Sequence, residues 1–122
     1  MLVEGETALR DLAKRSLESA GYTVLACPDG KAALKASSHF SGPIDIVVTD
    51  LVMPMMNGRH LAMELRKQRP NLPVLFMSGY SESVLINLSD ALPGEELLDK
   101  PFVPDDLIKK VREMLDRGAQ AS

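Results

Sequence analysis

The chain has 122 residues with a net charge of -3, 25% charged and 45% hydrophobic residues, one cysteine and no tryptophan. That length suits one compact domain, since domains commonly run about 100–150 residues, and it excludes a catalytic domain beside a separate reader domain. The acidic balance argues against direct nucleic-acid binding or an anionic-membrane surface, and no apolar run approaches the ~18 residues of a membrane span. Met1–Glu6 lacks the basic head and apolar middle of a signal peptide, and Cys27 has no partner for an internal disulfide, so a cytoplasmic location is expected.

Two kinds of segment alternate along the chain. Leu2-Val3 opens as an apolar strand, very short beside the ~5–6 residues usual for strands; either it is stunted or the chain begins inside it. Ala8, Leu9, Leu12, Ala13, Leu17 and Ala20 recur at helical spacing, with Gly21 as the stop. Thr23–Ala26 reads as the second strand and Gly30–Ser38 as a short helix. Ile44–Val48 is the third strand, and Leu61, Ala62 and Leu65 mark a helix that ends before Pro70. Val74–Met77 is the fourth strand, Ser81–Ala91 a weaker helix, and Leu97-Leu98 the fifth strand. Leu107, Ile108, Val111, Met114 and Leu115 form a last helix, entered at Pro104 and Asp105.

Continuous apolar runs without polar alternation are the mark of strands buried on both faces. Strand followed by helix, five times over, predicts right-handed crossovers and a parallel α/β sheet covered on both sides. The expected domain spans residues 1–117, with 118–122 as a frayed tail.

In such a sheet, ligands bind beyond the carboxyl ends of the strands, near the switch in strand order. Those ends carry Glu4, Gly5 and Glu6, then Asp50, then Ser78 and Gly79, and finally Lys100 and Pro101. Together they suit an oxyanion such as phosphate: the lysine supplies compact positive charge, the hydroxyl donates, and the carboxylates hold a hard cation. Each also has a plainer reading. Asp50 could cap a turn, Ser78-Gly79 could be ordinary turn chemistry, Lys100 a solvated lysine, and Glu4 and Glu6 surface charges at a helix start. Their joint placement favours function.

Three stretches sharpen this. Thr49-Asp50-Leu51-Val52-Met53-Pro54, with Gly58 eight residues past the aspartate, resembles the phosphoacceptor loop of two-component receiver domains. Met77-Ser78-Gly79-Tyr80 resembles the hydroxyl-bearing end of that family's fourth strand, and Lys100-Pro101-Phe102 its lysine loop, where a cis Lys100–Pro101 peptide is expected. The resemblance spans nearly the whole chain and is nearest to receivers attached to hybrid sensor histidine kinases. It implies a flavodoxin-like, doubly wound five-stranded parallel sheet of order 2-1-3-4-5 with five helices on two faces. It further implies that Asp50 takes a phosphoryl group from a phosphohistidine, with Lys100 and Ser78 assisting. Mg²⁺ would be held by Asp50, Glu4 and the backbone carbonyl of Val52. Pro54 and Gly58 would shape the loop, and Gly79 would leave room for the phosphoryl group. The implied partners are a sensor histidine kinase or phosphotransfer protein and an unknown output protein; a homodimer through the fourth and fifth helical faces stays open.

Two departures stand out. Receivers carry two adjacent acidic residues after the first strand, whereas here the pair reads Glu4-Gly5. Glycine offers no side-chain oxygen at the direct-ligand position, so Mg²⁺ binding is expected to be weak unless Glu4 or Glu6 compensates. The fifth-strand aromatic that commonly accompanies switching is replaced by Leu97; Tyr80 could flank the pocket instead. Rival readings fit less well. A nucleotide or flavin binder wants a G-x-G-x-x-G loop, which is missing, and a haloacid-type hydrolase wants an acid at position 52, which is Val. A pseudo-receiver, an interaction module that has lost its metal site, remains a live alternative because of Gly5.

Overall fold

Alternate residues of the apolar runs enter two separate cores. The computed structural model describes residues 1–79 and 96–121, with side chains through Arg117. Its elements are β1 (Leu2–Val3), α1 (Thr7–Ser19), β2 (Ala26–Cys27), α2 (Gly30–His39), β3 (Val47–Asp50), α3 (Gly58–Gln68), β4 (Val74–Ser78), β5 (Glu96–Asp99) and α4 (Pro104–Ala121). The strands are all parallel in the order β2-β1-β3-β4-β5, the doubly wound sheet expected from sequence. Val3, Val47, Val74 and Phe76 pack with Ala33, Leu61 and Leu65 of α2 and α3. Their chain neighbours Leu2, Val48, Leu75 and Met77 pack on the other face with Ala13, Leu17, Leu107 and Val111 of α1 and α4. Burial on both faces is why these runs carry no polar alternation.

Local chemistry starts and stops the helices. Asp29 and Asn57 accept the backbone N–H groups of Ala32 and His60, each at 2.8 Å, capping α2 and α3. Gly21, at φ 101°, returns its N–H to Glu18 O at 3.0 Å and ends α1 in a conformation that favours glycine. Gly58 is demanded by a different constraint. A Cβ there would overlap the Asp50 carbonyl oxygen, because α3 starts hard against the β3 terminus, where Gly58 N donates to Leu51 O at 2.7 Å.

Several expected bounds shift. β2 starts at Ala26 rather than Thr23, and β3 at Val47 rather than Ile44. The ladders begin there: Leu2 pairs with Ala26 on one side and Val48 on the other, and Val47 pairs with Val74 of β4. At their carboxyl ends β3 and β4 gain Asp50 and Ser78. The described residues contain four helices; the helix expected over Ser81–Ala91 lies outside them. The backbone of α4 is helical through Ala121, into the 118–122 stretch read as a tail. No helix among the described residues is long and apolar enough to cross a membrane.

Candidate functional site

The carboxyl edge of the sheet brings together residues 4, 50, 78 and 100. Glu4 follows β1, Asp50 ends β3, Ser78 ends β4 and Lys100 follows β5. Glu4, Asp50 and Ser78 are buried, at 2%, 6% and 0% exposure, an unusual state for carboxylates without partners. The partner is Lys100, whose Nζ lies 2.8 Å from Asp50 Oδ1 and 3.0 Å from Glu4 Oε2. One ammonium thus bridges two carboxylates that are 46 positions apart in the chain.

Backbone groups fix the remaining geometry. Gly5 N donates to Asp50 Oδ2 at 3.2 Å, and Glu6 N donates to Glu4 Oε1 at 3.0 Å. Arg10 Nη1 holds the Glu4 carbonyl at 2.9 Å, while Glu4 N reaches Cys27 O at 3.1 Å. Lys100 N donates to Ser78 O at 2.8 Å, tying the lysine loop to the end of β4, and the Lys100–Pro101 peptide is cis as expected. Thr49 Oγ1, fully buried, donates to the Asp50 carbonyl at 3.1 Å.

Burial pushes the Asp50 carboxyl up to about 6, the neighbouring Glu4 adds to this, and Lys100 opposes it. For Lys100, burial works against the charge, yet the Asp50 and then the Glu4 carboxylates hold it above the usual lysine value. Two carboxylates against one ammonium leave this edge short of positive charge. The deficit is visible at one atom: Glu4 Oε2 is buried and accepts no hydrogen bond. Its 3.0 Å approach to Lys100 Nζ is an ion pair rather than a well-aligned hydrogen bond.

The sequence-predicted residues divide accordingly. Asp50, Lys100 and Glu4 meet directly, and Ser78 joins through its backbone. Glu6 is exposed and enters through its N–H. Val52 sits 59% exposed just past the aspartate, and Tyr80 lies outside the described residues. Leu97 is half-buried against the α2–α3 core. Sequence reasoning missed Arg10 and the Gly5 N–H, and no sequence signal announces a main-chain donor or a side-chain hold on a distant carbonyl.

A lysine bridging a strand-end aspartate and a second carboxylate, on a parallel sheet of order 2-1-3-4-5, defines a receiver-type α/β domain. The family model described as the response regulator receiver domain matches residues 1–112, and the chain belongs to that family. It is 41% identical over 117 residues to the sensor kinase CckA of Brucella abortus (strain 2308), a match covering 96% of this chain and 12% of CckA. Against the response regulator receiver protein CpdR of the same strain it is 32% identical over 115 residues, covering 94% of each. The solved receiver domain of the hybrid histidine kinase CckA is similar, with TM-score 0.78, 32% identity and 93% and 95% of the two chains covered. A receiver domain protein from Clostridium thermocellum reaches TM-score 0.85 over 99% and 96% of the chains at 24% identity, a likeness of fold alone.

Receiver domains of two-component systems work with histidine kinases or phosphotransfer proteins and bind Mg²⁺ for phosphorylation. The residues present fit such an ion in kind. Glu4 and Asp50 offer hard oxygen donors, and Glu4 Oε2 is a buried carboxylate oxygen that faces the Lys100 ammonium shared with Asp50. Among the described residues no three His, Cys, Asp or Glu side chains cluster to hold a metal.

Proposed function

We propose that Asp50 is a phosphoacceptor, taking a phosphoryl group from a phosphohistidine on a sensor histidine kinase or phosphotransfer protein. A carboxylate oxygen of Asp50 attacks phosphorus, the phosphorus–nitrogen bond of the donor breaks, and its electron pair returns to the imidazole. The product is an acyl phosphate. The obstacle is electrostatic, since two like unit charges at ~4 Å repel by ~4 kcal/mol at an effective dielectric of ~20. Lys100 Nζ, already 2.8 Å from Asp50 Oδ1, offsets this by moving onto the incoming phosphoryl oxygens. Asp50, Glu4 and the Val52 carbonyl would hold Mg²⁺, which would supply further positive charge there. Ser78 donates its hydroxyl to a phosphoryl oxygen and draws its loop inward, which alters the surface that the output protein reads.

The observation that carries this reading is the Lys100 bridge between Asp50 and Glu4 in a chain of receiver ancestry. The match to the sensor kinase CckA supports a histidine kinase as the donor class. Incubation with acetyl phosphate and Mg²⁺, followed by intact-mass measurement, tests it. One phosphoryl group is gained by the wild type and none by Asp50→Asn.

Gly5 favours a second reading. With no carboxylate at that position and both Asp50 oxygens already engaged by Lys100 and Gly5 N, Mg²⁺ binds weakly. The chain then works as a pseudo-receiver, an interaction module with impaired phosphorylation. No mass gain in the same experiment favours this reading.

A further inference from the structure

Arg10 and Asp50 grip opposite ends of one peptide unit. Arg10 Nη1 donates to Glu4 O at 2.9 Å, and the N–H of that same peptide, Gly5 N, donates to Asp50 Oδ2 at 3.2 Å. The peptide is trans, so its C=O and N–H point in opposite directions and a single rotation moves both. Arg10 reaches it from α1 because helical side chains lean back toward the helix start.

The charges run in one line. The guanidinium faces the carbonyl oxygen and the amide hydrogen faces the carboxylate, so the peptide dipole lies aligned between cation and anion. Turned over, the peptide would set Glu4 O against Asp50 Oδ2 and its N–H against the guanidinium. The rest of Glu4 is fixed, since Glu4 N donates to Cys27 O at 3.1 Å and Oε1 accepts from Glu6 N at 3.0 Å. Only the bonds on either side of this peptide are left to turn. Gly5 makes that turn cheap. Its φ lies outside the left-handed region, and turning the peptide over swings φ by about half a turn, toward values that glycine takes freely and other residues rarely adopt.

We propose that Arg10 is a positioning residue for Asp50: it locks the Glu4–Gly5 peptide so that the Gly5 N–H holds Oδ2 while Lys100 holds Oδ1. Two donors from separate segments then set one rotation of the carboxylate, the orientation from which it attacks. The link to attack rests on the phosphoacceptor reading; the lock itself does not.

The test compares wild type, Arg10→Met and the double variant Arg10→Met with Gly5→Ala. Amide hydrogen exchange and the rate of phosphoryl gain from acetyl phosphate with Mg²⁺ are measured on each. Arg10→Gln, whose side chain is shorter, takes the place of Arg10→Met where the latter folds poorly. Loss of Arg10 is expected to lower protection of the residue 5 amide at least about tenfold, while the Leu2 and Val48 amides of the β1 ladders keep theirs. Phosphoryl gain should slow at least about tenfold. Gly5→Ala, which disfavours the turned peptide and has room for its Cβ, should restore most of both. Unchanged protection at residue 5 overturns the proposal, as does a loss shared equally by Leu2 and Val48 or one that Gly5→Ala does not recover. An unchanged rate in a variant that has lost the protection also overturns it. A wild type that gains no phosphoryl group refutes the phosphoacceptor reading instead, and the exchange comparison then decides on the lock by itself.

Discussion

Gly5 N–H donates to Asp50 Oδ2 at 3.2 Å, so the residue at the expected metal-ligand position touches the candidate acceptor through its main chain alone. A side chain fits there, because the nearest atom to an added Cβ is Pro28 O at 3.8 Å. Gly5→Asp therefore adds a carboxylate without a clash. Mg²⁺ affinity should rise at least tenfold, about 1.4 kcal/mol, as ligand charge increases. Isothermal titration of both chains measures this, and equal affinities would refute the weak-site reading.

Removing the bridging ammonium strands two buried carboxylates. Lys100→Met should lower unfolding free energy by about 3 kcal/mol near neutral pH, the low end for breaking a buried pair, since Lys100 keeps 21% of its side chain exposed. Urea denaturation in metal-free buffer is the measurement. A loss below about 1 kcal/mol, the scale of exposed pairs, would mean that solvent already screens the site.

Asp50 also sets a pH dependence. Its carboxyl, raised from 3.8 to about 6 by burial, is protonated more readily in the folded chain than in the unfolded one. The stabilisation it contributes is full below about pH 4 and is lost as pH rises through 6, on the order of 2–3 kcal/mol. Glu96 behaves oppositely, held below the usual carboxylate range by Lys110 and then Arg117, and its stabilisation is lost only as pH falls through that lowered range. Between pH 7.5 and 5, then, wild type should gain stability relative to Asp50→Asn in metal-free buffer. A constant difference across that window would place the Asp50 titration elsewhere.

At Gly58 two effects compete. Alanine favours a helix over glycine by roughly 0.5–1 kcal/mol, but the added Cβ overlaps the Asp50 carbonyl oxygen, with Leu51 Cα at 3.1 Å. Backbone atoms yield poorly, and overpacking costs about 1–3 kcal/mol, so the clash wins. Gly58→Ala should destabilise the chain by about 1–2 kcal/mol net and shift the Asp50 loop. Neutral or raised stability would show that α3 can slide.

Met55 presents the reverse case. Its φ is 68° and its side chain is fully exposed, so the left-handed backbone is strained with no packing to compensate. Relief of ~1–2 kcal/mol outweighs the ~0.5–1 kcal/mol of extra unfolded-chain entropy that glycine brings. Met55→Gly should raise stability by about 0.5–1 kcal/mol, read as a shift of the urea midpoint at constant slope. A fall in the midpoint would mean that Met55 contacts something in the folded chain.

Much of the site is legible in the sequence. Asp50, Ser78 and Lys100 each sit at the end of an apolar run, and strand ends are where a parallel sheet places its chemistry. Strand bounds were less legible. Thr23–Leu25 and Ile44–Ile46 have strand composition, but a strand is defined by pairing with a neighbour, and the ladders begin at Ala26 and Val47. Arg10 was illegible for a related reason: its hold on the Glu4 carbonyl depends on how α1 turns away from β1.

The sequence by itself determined the order of strands and helices, the burial of both sheet faces, and the residue types delivered to the carboxyl edge. Those follow from periodicity and from local capping and turn chemistry, which act within a few residues. Tertiary structure alone decided that one ammonium serves two carboxylates, that Glu4 Oε2 is left without a hydrogen bond, and that Gly5 meets Asp50 through its N–H. Those are distances and angles between segments far apart in sequence. They arise only when crossover packing brings β1, β3 and the loop after β5 to one edge, where burial makes each unmatched charge count.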